Sequence, residues 1–434
     1  DFITFLGKCS GSPYVAAEHI RHLLLQNGFM ELKETEIWEL QRGMKYFIVR
    51  DAATVVCFGV GGQYKLGNGF TVVCSHLDSP SLKLKPKPFS VVEGMNMTSC
   101  EVYGGGTWQT WFDRDLGISG RVIIEEDGKF KSIAVSIKKP LYRISTCCPH
   151  LDKRYLKGFS INKETELPAM GISEEALIKE LHTVVGEDKC IVAYDLYLCD
   201  IQPPTLLGMN NEFVSSQGLD DLSCTYGALF GVMRACSDEK LKESANVLMA
   251  CVFTHEEIGS TTRQGAASVL LPQIIKRISG CFAADSTNVT ELQMIGNSKS
   301  IVLSADVDHA THPTYSDSNE SHHPVHMNKG LVVHVCAKQN VIVDTNLLSI
   351  LMRLGDKVGV KIQRRVSNQQ SKDSGGTIGP YIASYTGLNV IDIGVPMLSM
   401  HSIREVCGAK DVQSMVKLVE SVMDHFVEYE DVLG

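Results

Sequence analysis

No stretch of this 434-residue sequence stays apolar for the roughly 20 residues a membrane-spanning helix requires. Basic residues are in deficit, with 41 Lys and Arg against 50 Asp and Glu and a formal net charge of −9. Nucleic-acid-binding surfaces carry the opposite footprint, so neither nucleic acid nor membrane is an expected partner. There is no internal repeat and no low-complexity tract, which removes solenoid and disordered readings. GxSxG is missing, which argues against a serine hydrolase of that type. GVGGQYKLGNG and YGGGTW are rich in glycine but lack phosphate-loop and dinucleotide spacing, so they read as tight turns. The 14 cysteines are scattered, and Cys147-Cys148 has no second pair at zinc-ribbon spacing. Cys57, Cys74, Cys251 and Cys336 sit in apolar runs and read as buried free thiols. The first twenty residues show neither a basic n-region nor a long apolar h-region. A cytoplasmic protein is the expectation, and because residue 1 is Asp, a trimmed leader or a vacuolar destination stays open.

What is present is an ordinary globular composition, 44% hydrophobic and 21% charged, in a chain long enough for two lobes. YVAAEHIRHLLLQNGF has helical spacing and closes at Gly28. Short strand-like runs follow, including TVVCFGV and FTVVCSH, and then PSLKLKPKPFSVVEG interrupts them with prolines and lysines. Its KLKPKP segment reads as a hinge or rim. Residues 82–205 alternate strands and loops around a single obvious helix, SEEALIKELHTVVG. After residue 205, apolar strands and amphipathic helices alternate again. The expected fold is therefore α/β: a three-layer α/β/α domain built from residues 1–81 and 206–434, split by a β-rich insert over 82–205.

In such sheets, functional groups collect beyond the C-terminal ends of strands. FTVVCSHLDS ends on His76 and Asp78, and SSQGLDDLS offers Asp220 and Asp221. VLMACVFTHEEIGS ends on Glu256 and Glu257. SIVLSADVDHATH carries Asp306, Asp308 and His309, and VPMLSMHSIRE carries His401. Taken singly, each has a plain reading: a hydrogen-bonded strand-end histidine, an N-capping aspartate, a solvated acidic loop. Taken together, carboxylates with a few imidazoles and no thiolate suit zinc, manganese or cobalt. Two such ions about 3.5–4 Å apart, sharing a carboxylate and a water, would form a co-catalytic hydrolase centre. The remaining histidines of HATHPTYSDSNESHHPVHMNKG, apart from His309, read as a surface loop.

The segments HLDSP, YGGGTWQTWFDRDLGISGRV, GLDDL, EEIGSTTRQGA, LSADVDHATHPTY, SGGTIGP and LSMHSIRE resemble the aspartyl aminopeptidase family. The resemblance runs from about residue 28 to the C-terminus. It implies a two-metal exopeptidase that removes N-terminal residues from short peptides. Under it, His76 and Asp306 would bind one ion, Glu257 and His401 the other, and Asp220 would bridge them. Glu256 would be the general base, and Asp78 the carboxylate that orients His76. His309 would contact substrate, and His150 would reach a neighbouring subunit's active site. The insert would make dimers, and six dimers a tetrahedral dodecamer. The family's RLDN appears here as GLDD, which adds the Asp221 carboxylate beside the bridge.

Acidic members of the family hold the substrate side chain with a lysine where this sequence has His334, and Val341 replaces a helping tyrosine. Imidazole is charged only part of the time near neutral pH. Two expectations stand side by side: a retained preference for Asp and Glu, or one broadened toward neutral residues such as Leu. A third reading is an assembly or cargo protein that has lost the chemistry; the complete ligand set and base weigh against it.

Overall fold

The computed structural model describes residues 1–153, 158–284, 288–368 and 375–433. Its centre is a seven-stranded sheet in the order Met30–Glu31, Lys45–Arg50, Thr54–Val60, Val247–Phe253, Phe70–His76, Ile301–Ala305, Asn389–Ile393. The last four of these strands run parallel, and their register sets His76 opposite Phe253 and Ala305 opposite Ile393. Thr54–Val60, Phe70–His76, Val247–Phe253 and Ile301–Ala305 are buried at every position. Continuous Val, Ile and Leu runs of this kind belong to strands covered on both faces.

Helices supply that cover. On one face, Phe2–Cys9, Pro13–Gln26, Leu219–Ala235, Thr345–Lys357 and Ala409–His425 join a single apolar cluster with the sheet. On the other, Leu270–Cys281 and Gly379–Thr386 pack with Trp38, Phe58 and Phe253. The result is the α/β/α sandwich. None of the described helices is long and apolar enough to cross a membrane.

The chain between the two halves closes into a six-stranded barrel, Cys190–Asp200, Ser81–Val92, Met95–Tyr103, Ala169–Gly171, Lys129–Arg143 and Asp115–Glu126. The barrel has its own core, including Trp111, Ile118, Val122 and Leu196, and the helix Glu174–Val185 adds Leu177 and Leu181 to it. KLKPKP is neither hinge nor rim but part of the strand Ser81–Val92. Its prolines lack the N–H a ladder needs, and the register shifts between Leu84 and Phe89, where they stand. Two of its three lysines find acids: Lys83 lies 2.8 Å from Asp195 and Lys85 lies 2.6 Å from Glu164. All 14 cysteines are free thiols. Cys57, Cys74 and Cys251 are buried as expected, whereas Cys336 lies beyond its strand and is half-buried.

The two lobes meet closely. Ser12 and Ser119 pack hydroxyl to hydroxyl at 2.9 Å. Gly11 beside them, at φ +119°, leaves no room for a Cβ, which would stand 2.9 Å from that of Ser119.

Candidate metal centre

His76 is the last residue of its strand. Its Nδ1 lies 3.0 Å from the Asp78 carbonyl oxygen, and its Nε2 lies 3.2 Å from Asp220 Oδ1 and 3.6 Å from Asp306 Oδ1. His401 repeats the pattern on a turn between the short strands Pro396–Leu398 and Glu405–Gly408. Its Nδ1 lies 3.1 Å from the Gly105 carbonyl, and its Nε2 lies 3.3 Å from Asp220 Oδ2 and 3.4 Å from Glu257 Oε2. A carbonyl only accepts, so each Nδ1–H donates to it and each Nε2 is presented to the carboxylates. The two oxygens of Asp220 therefore face two separate imidazoles.

The donor atoms fall into two triads. One atom each of His76, Asp221 and Asp306 lie within 4.8 Å of one another, and the same holds for Asp220, Glu257 and His401. Asp220 and Asp221 open the helix Leu219–Ala235, and the peptide bond between them is cis. Asp221 is fully buried, and its Oδ2 accepts the His76 N–H at 3.2 Å.

The adjacent glutamates sit on a single 3₁₀ turn, Glu256–Ile258, entered through His255 at φ +68°. With about three residues per turn, neighbouring side chains point in well-separated directions, so adjacency does not make them equivalent. Glu257 faces His401, while Glu256 belongs to neither triad. Asp78 accepts the N–H groups of Glu256 and Glu257 at 3.2 and 3.1 Å and the Tyr103 hydroxyl at 2.8 Å. The Asp78 carboxylate is 3.5 Å from the His76 ring, farther than its own backbone carbonyl. Asp78 thus holds the glutamate turn and Tyr103 with its carboxylate, and its carbonyl and carboxylate both face the His76 Nδ1.

The charge balance is lopsided. Asp78, Asp220, Asp221, Glu256, Glu257 and Asp306 gather around two imidazoles, and among the described residues no lysine or arginine pairs with them. Burial, then the neighbouring acids Asp306, Asp220 and Asp78, push the Glu256 carboxyl up to about 8. Burial and Asp220 likewise raise Glu257. Burial works against protonation of His401, but the Asp220 carboxylate overrides it and lifts the ring to about 9. Burial also opposes ionisation of Asp220, yet its bonds to His401 and His76 hold it below the usual range. Asp221 Oδ1 and Glu257 Oε1 are buried without a hydrogen-bond partner. Orphaned carboxylate oxygens are costly, and oxygen-plus-imidazole donors are what divalent zinc or manganese takes. The residues fit metal ions.

Beside Asp306 opens a narrow cavity lined by Val332, His334, Val341, Arg365, Thr377 and Met400. It also takes in Asp308, His309 and Gly375 and Gly376 of SGGTIGP, whose Ser374 lies outside the described residues. His309 is therefore at the pocket, exposed. His150 stands exposed on a turn of the barrel lobe and is not among the pocket's lining residues. Sequence reasoning missed Glu405, whose carboxylate accepts the His401 N–H at 2.8 Å and the Asp220 N–H at 3.1 Å. Its place in HSIRE, four residues after His401, was the available signal. Tyr103 and Gly105 were also missed, because their partners come from the other lobe.

A profile of the family described as aminopeptidase I zinc metalloprotease (M18) matches residues 5–422. Aspartyl aminopeptidase 1 of Schizosaccharomyces pombe is 36% identical over 459 residues, covering 99% of this chain and 95% of its own length. A solved structure of the Ape4 and Nbr1 complex superposes with a TM-score of 0.95 at 35% identity, covering 100% of this chain and 86% of that one. The Saccharomyces cerevisiae mApe1 dodecamer gives a TM-score of 0.87 at 28% identity, covering 100% of this chain and 98% of that one.

Proposed function

This chain belongs to the aminopeptidase I (M18) family of zinc metalloproteases and is a metal-dependent aminopeptidase, and on that premise we propose that it removes acidic N-terminal residues from short peptides at a two-ion centre. The observation that carries the reading is Asp220, whose two oxygens face the Nε2 atoms of two imidazoles locked by carbonyls. In this reading His76 and Asp306 hold one ion, Glu257 and His401 the other, and Asp220 serves both; Asp221 adds charge beside the first. When bound, divalent cations polarise the scissile carbonyl and lower the pKa of water.

Glu256, mounted next to a ligand but outside both triads, takes the attacking water's proton and returns it to the leaving amine. A carboxyl lifted toward neutrality by burial suits a group that must both accept and donate. Asp78 and Tyr103 hold the turn that aims it. His309, at the mouth of the pocket, contacts the substrate.

The name of the S. pombe relative supports the acidic preference. A preference broadened toward Leu is the second reading, favoured by the apolar wall of Val332, Val341 and Met400. We also read residues 82–205 as the dimerisation insert, with His150 reaching a neighbouring site and twelve copies forming a tetrahedral shell. Support comes from the dodecameric neighbour and from Phe130 and Val91, exposed apolar side chains on the barrel. A cytoplasmic location goes with this reading.

Hydrolysis of Asp-, Glu- and Leu-aminoacyl fluorogenic substrates, with and without chelator, tests it. Chelation should abolish cleavage, and Glu256→Gln should lower kcat by about 10²–10⁴-fold. Full activity in Glu256→Gln would remove Glu256 as the base.

A further inference from the structure

Resting on the aminopeptidase reading above, we propose that Arg365 is the fixed positive charge by which this pocket recognises an acidic N-terminal side chain, with Asp308 as its counter-charge. Residue 334, where acidic relatives are expected to carry a lysine, is a histidine, and that loss looked like a loss of the cation. The strands Leu331–His334 and Ile362–Arg365 pair in parallel, and their register sets His334 directly against Arg365. Register partners put their side chains on the same face of a sheet, about 5 Å apart. A cation missing from one strand therefore stands on its neighbour.

The contacts show which of the two carries the charge. Arg365 is 4% exposed and His334 8%. The guanidinium Nη1 lies 3.2 Å from His334 Nδ1 and donates to Asp308 Oδ1 at 2.8 Å, and Nε donates to Asn319 Oδ1 at 3.1 Å. A guanidinium has only donors and stays protonated, so His334 Nδ1 accepts. His334 Nε2 lies 3.0 Å from Ser367 Oγ. His334 is thus a neutral prop beneath Arg365.

Both residues line the cavity that begins at Asp306, a ligand of the proposed centre. A side chain entering from a substrate whose scissile bond lies at that centre meets Arg365 at the polar end and Val332, Val341 and Met400 along the wall. The cavity volume, about 70 Å³, holds roughly five water-sized groups at about 10–15 Å³ each. That leaves room for the side chain of Asp, Glu or Leu. Asp308 Oδ2 is buried without a hydrogen-bond partner, so the counter-charge weakens the pull on an incoming carboxylate.

The test is the ratio of kcat/KM for Glu-peptide over Leu-peptide substrate in the metal-loaded enzyme. Arg365→Gln should lower it on the order of tenfold to a hundredfold. Arg365→Lys should keep most of it, and His334→Gln should shift it less than Arg365→Gln does. Asp308→Asn should move it the other way, upward. Since Arg365→Gln leaves a buried aspartate without its cation, the double variant Arg365→Gln with Asp308→Asn serves if the single one does not fold, and it too should lose the ratio. A ratio unmoved in the double variant, or one that falls only in His334→Gln, overturns the assignment. So does a wild-type enzyme that cleaves both substrates but favours Leu, an outcome that leaves the aminopeptidase reading standing. Cleavage of neither substrate would defeat both.

Discussion

Asp200 and Asp220 are both buried aspartates at the ends of secondary-structure elements, and the chain treats them in opposite ways. Asp200 ends a barrel strand between two guanidiniums, Arg114 at 2.8 Å and Arg404 at 3.4 Å. Asp220 opens a helix between two imidazoles, His76 at 3.2 Å and His401 at 3.3 Å. Arginine keeps its charge at any pH a protein meets and has no lone pair to offer. An imidazole can shed its proton and present nitrogen to a metal. Asp200 thus has its charge balanced within the chain, and Asp220 has its own left open for cations to complete.

That contrast can be broken from either side. The larger effect should come from the closed side. Asp200→Asn removes the counter-charge of the half-buried Arg114 and Arg404, and should cost about 3 kcal/mol of stability, toward the low end for a broken buried pair because Arg114 keeps Gln202 and Arg404 keeps the carbonyls of Gln202 and Ser215. Chemical denaturation reads the loss, and metal content per folded chain should not change. An Asp200→Asn protein that keeps its stability but loses metal would erase the distinction.

A smaller effect, of the opposite kind, belongs to the open side. In chelated protein, burial lifts Glu256 and Glu405 to about 8 from 4.5, and the Asp220 carboxylate, against burial, lifts His401 to about 9 from 6.5. Each folded-state value is raised, so the folded protein holds protons that the unfolded chain has released. Stability must then fall as pH rises through roughly 4.5–9, the His401 part being complete below its unfolded pKa and lost above about 9. Asp78 and Asp220, held below the usual carboxylate range, act at lower pH, outside this window. Thermal melts of chelated protein should show a lower Tm at about pH 8.5 than at about pH 6, with metal restoring more at the higher pH. A chelated protein that gains stability on going alkaline would contradict the account.

The two sides also differ in how far the sequence disclosed them. His76, Glu257 and Asp306 were legible because a parallel sheet gathers the ends of its strands, and each followed an apolar run; His401 followed one too, but on a turn of a second, smaller sheet. Asp220 and Asp221 stood out as paired acids before a helical pattern. The barrel lobe was visible only as a change of texture: KLKPKP looked like a break because a proline-bearing strand survives through a register shift that no local pattern announces. Tyr103 and Gly105 act on Asp78 and His401 from the other lobe, a tertiary fact. Arg365 was overlooked for the same reason. Only the pairing of two strands 31 residues apart brings it against His334.

The measurement that bears most directly on Asp220 as an open position is the number of metal ions bound per chain, in the wild type and in Asp220→Asn, by elemental analysis after equilibrium dialysis. The account predicts two ions in the wild type and weakened retention of both in the variant, because one carboxylate faces both imidazoles. One ion in the wild type, or a variant that keeps two as tightly, would contradict it.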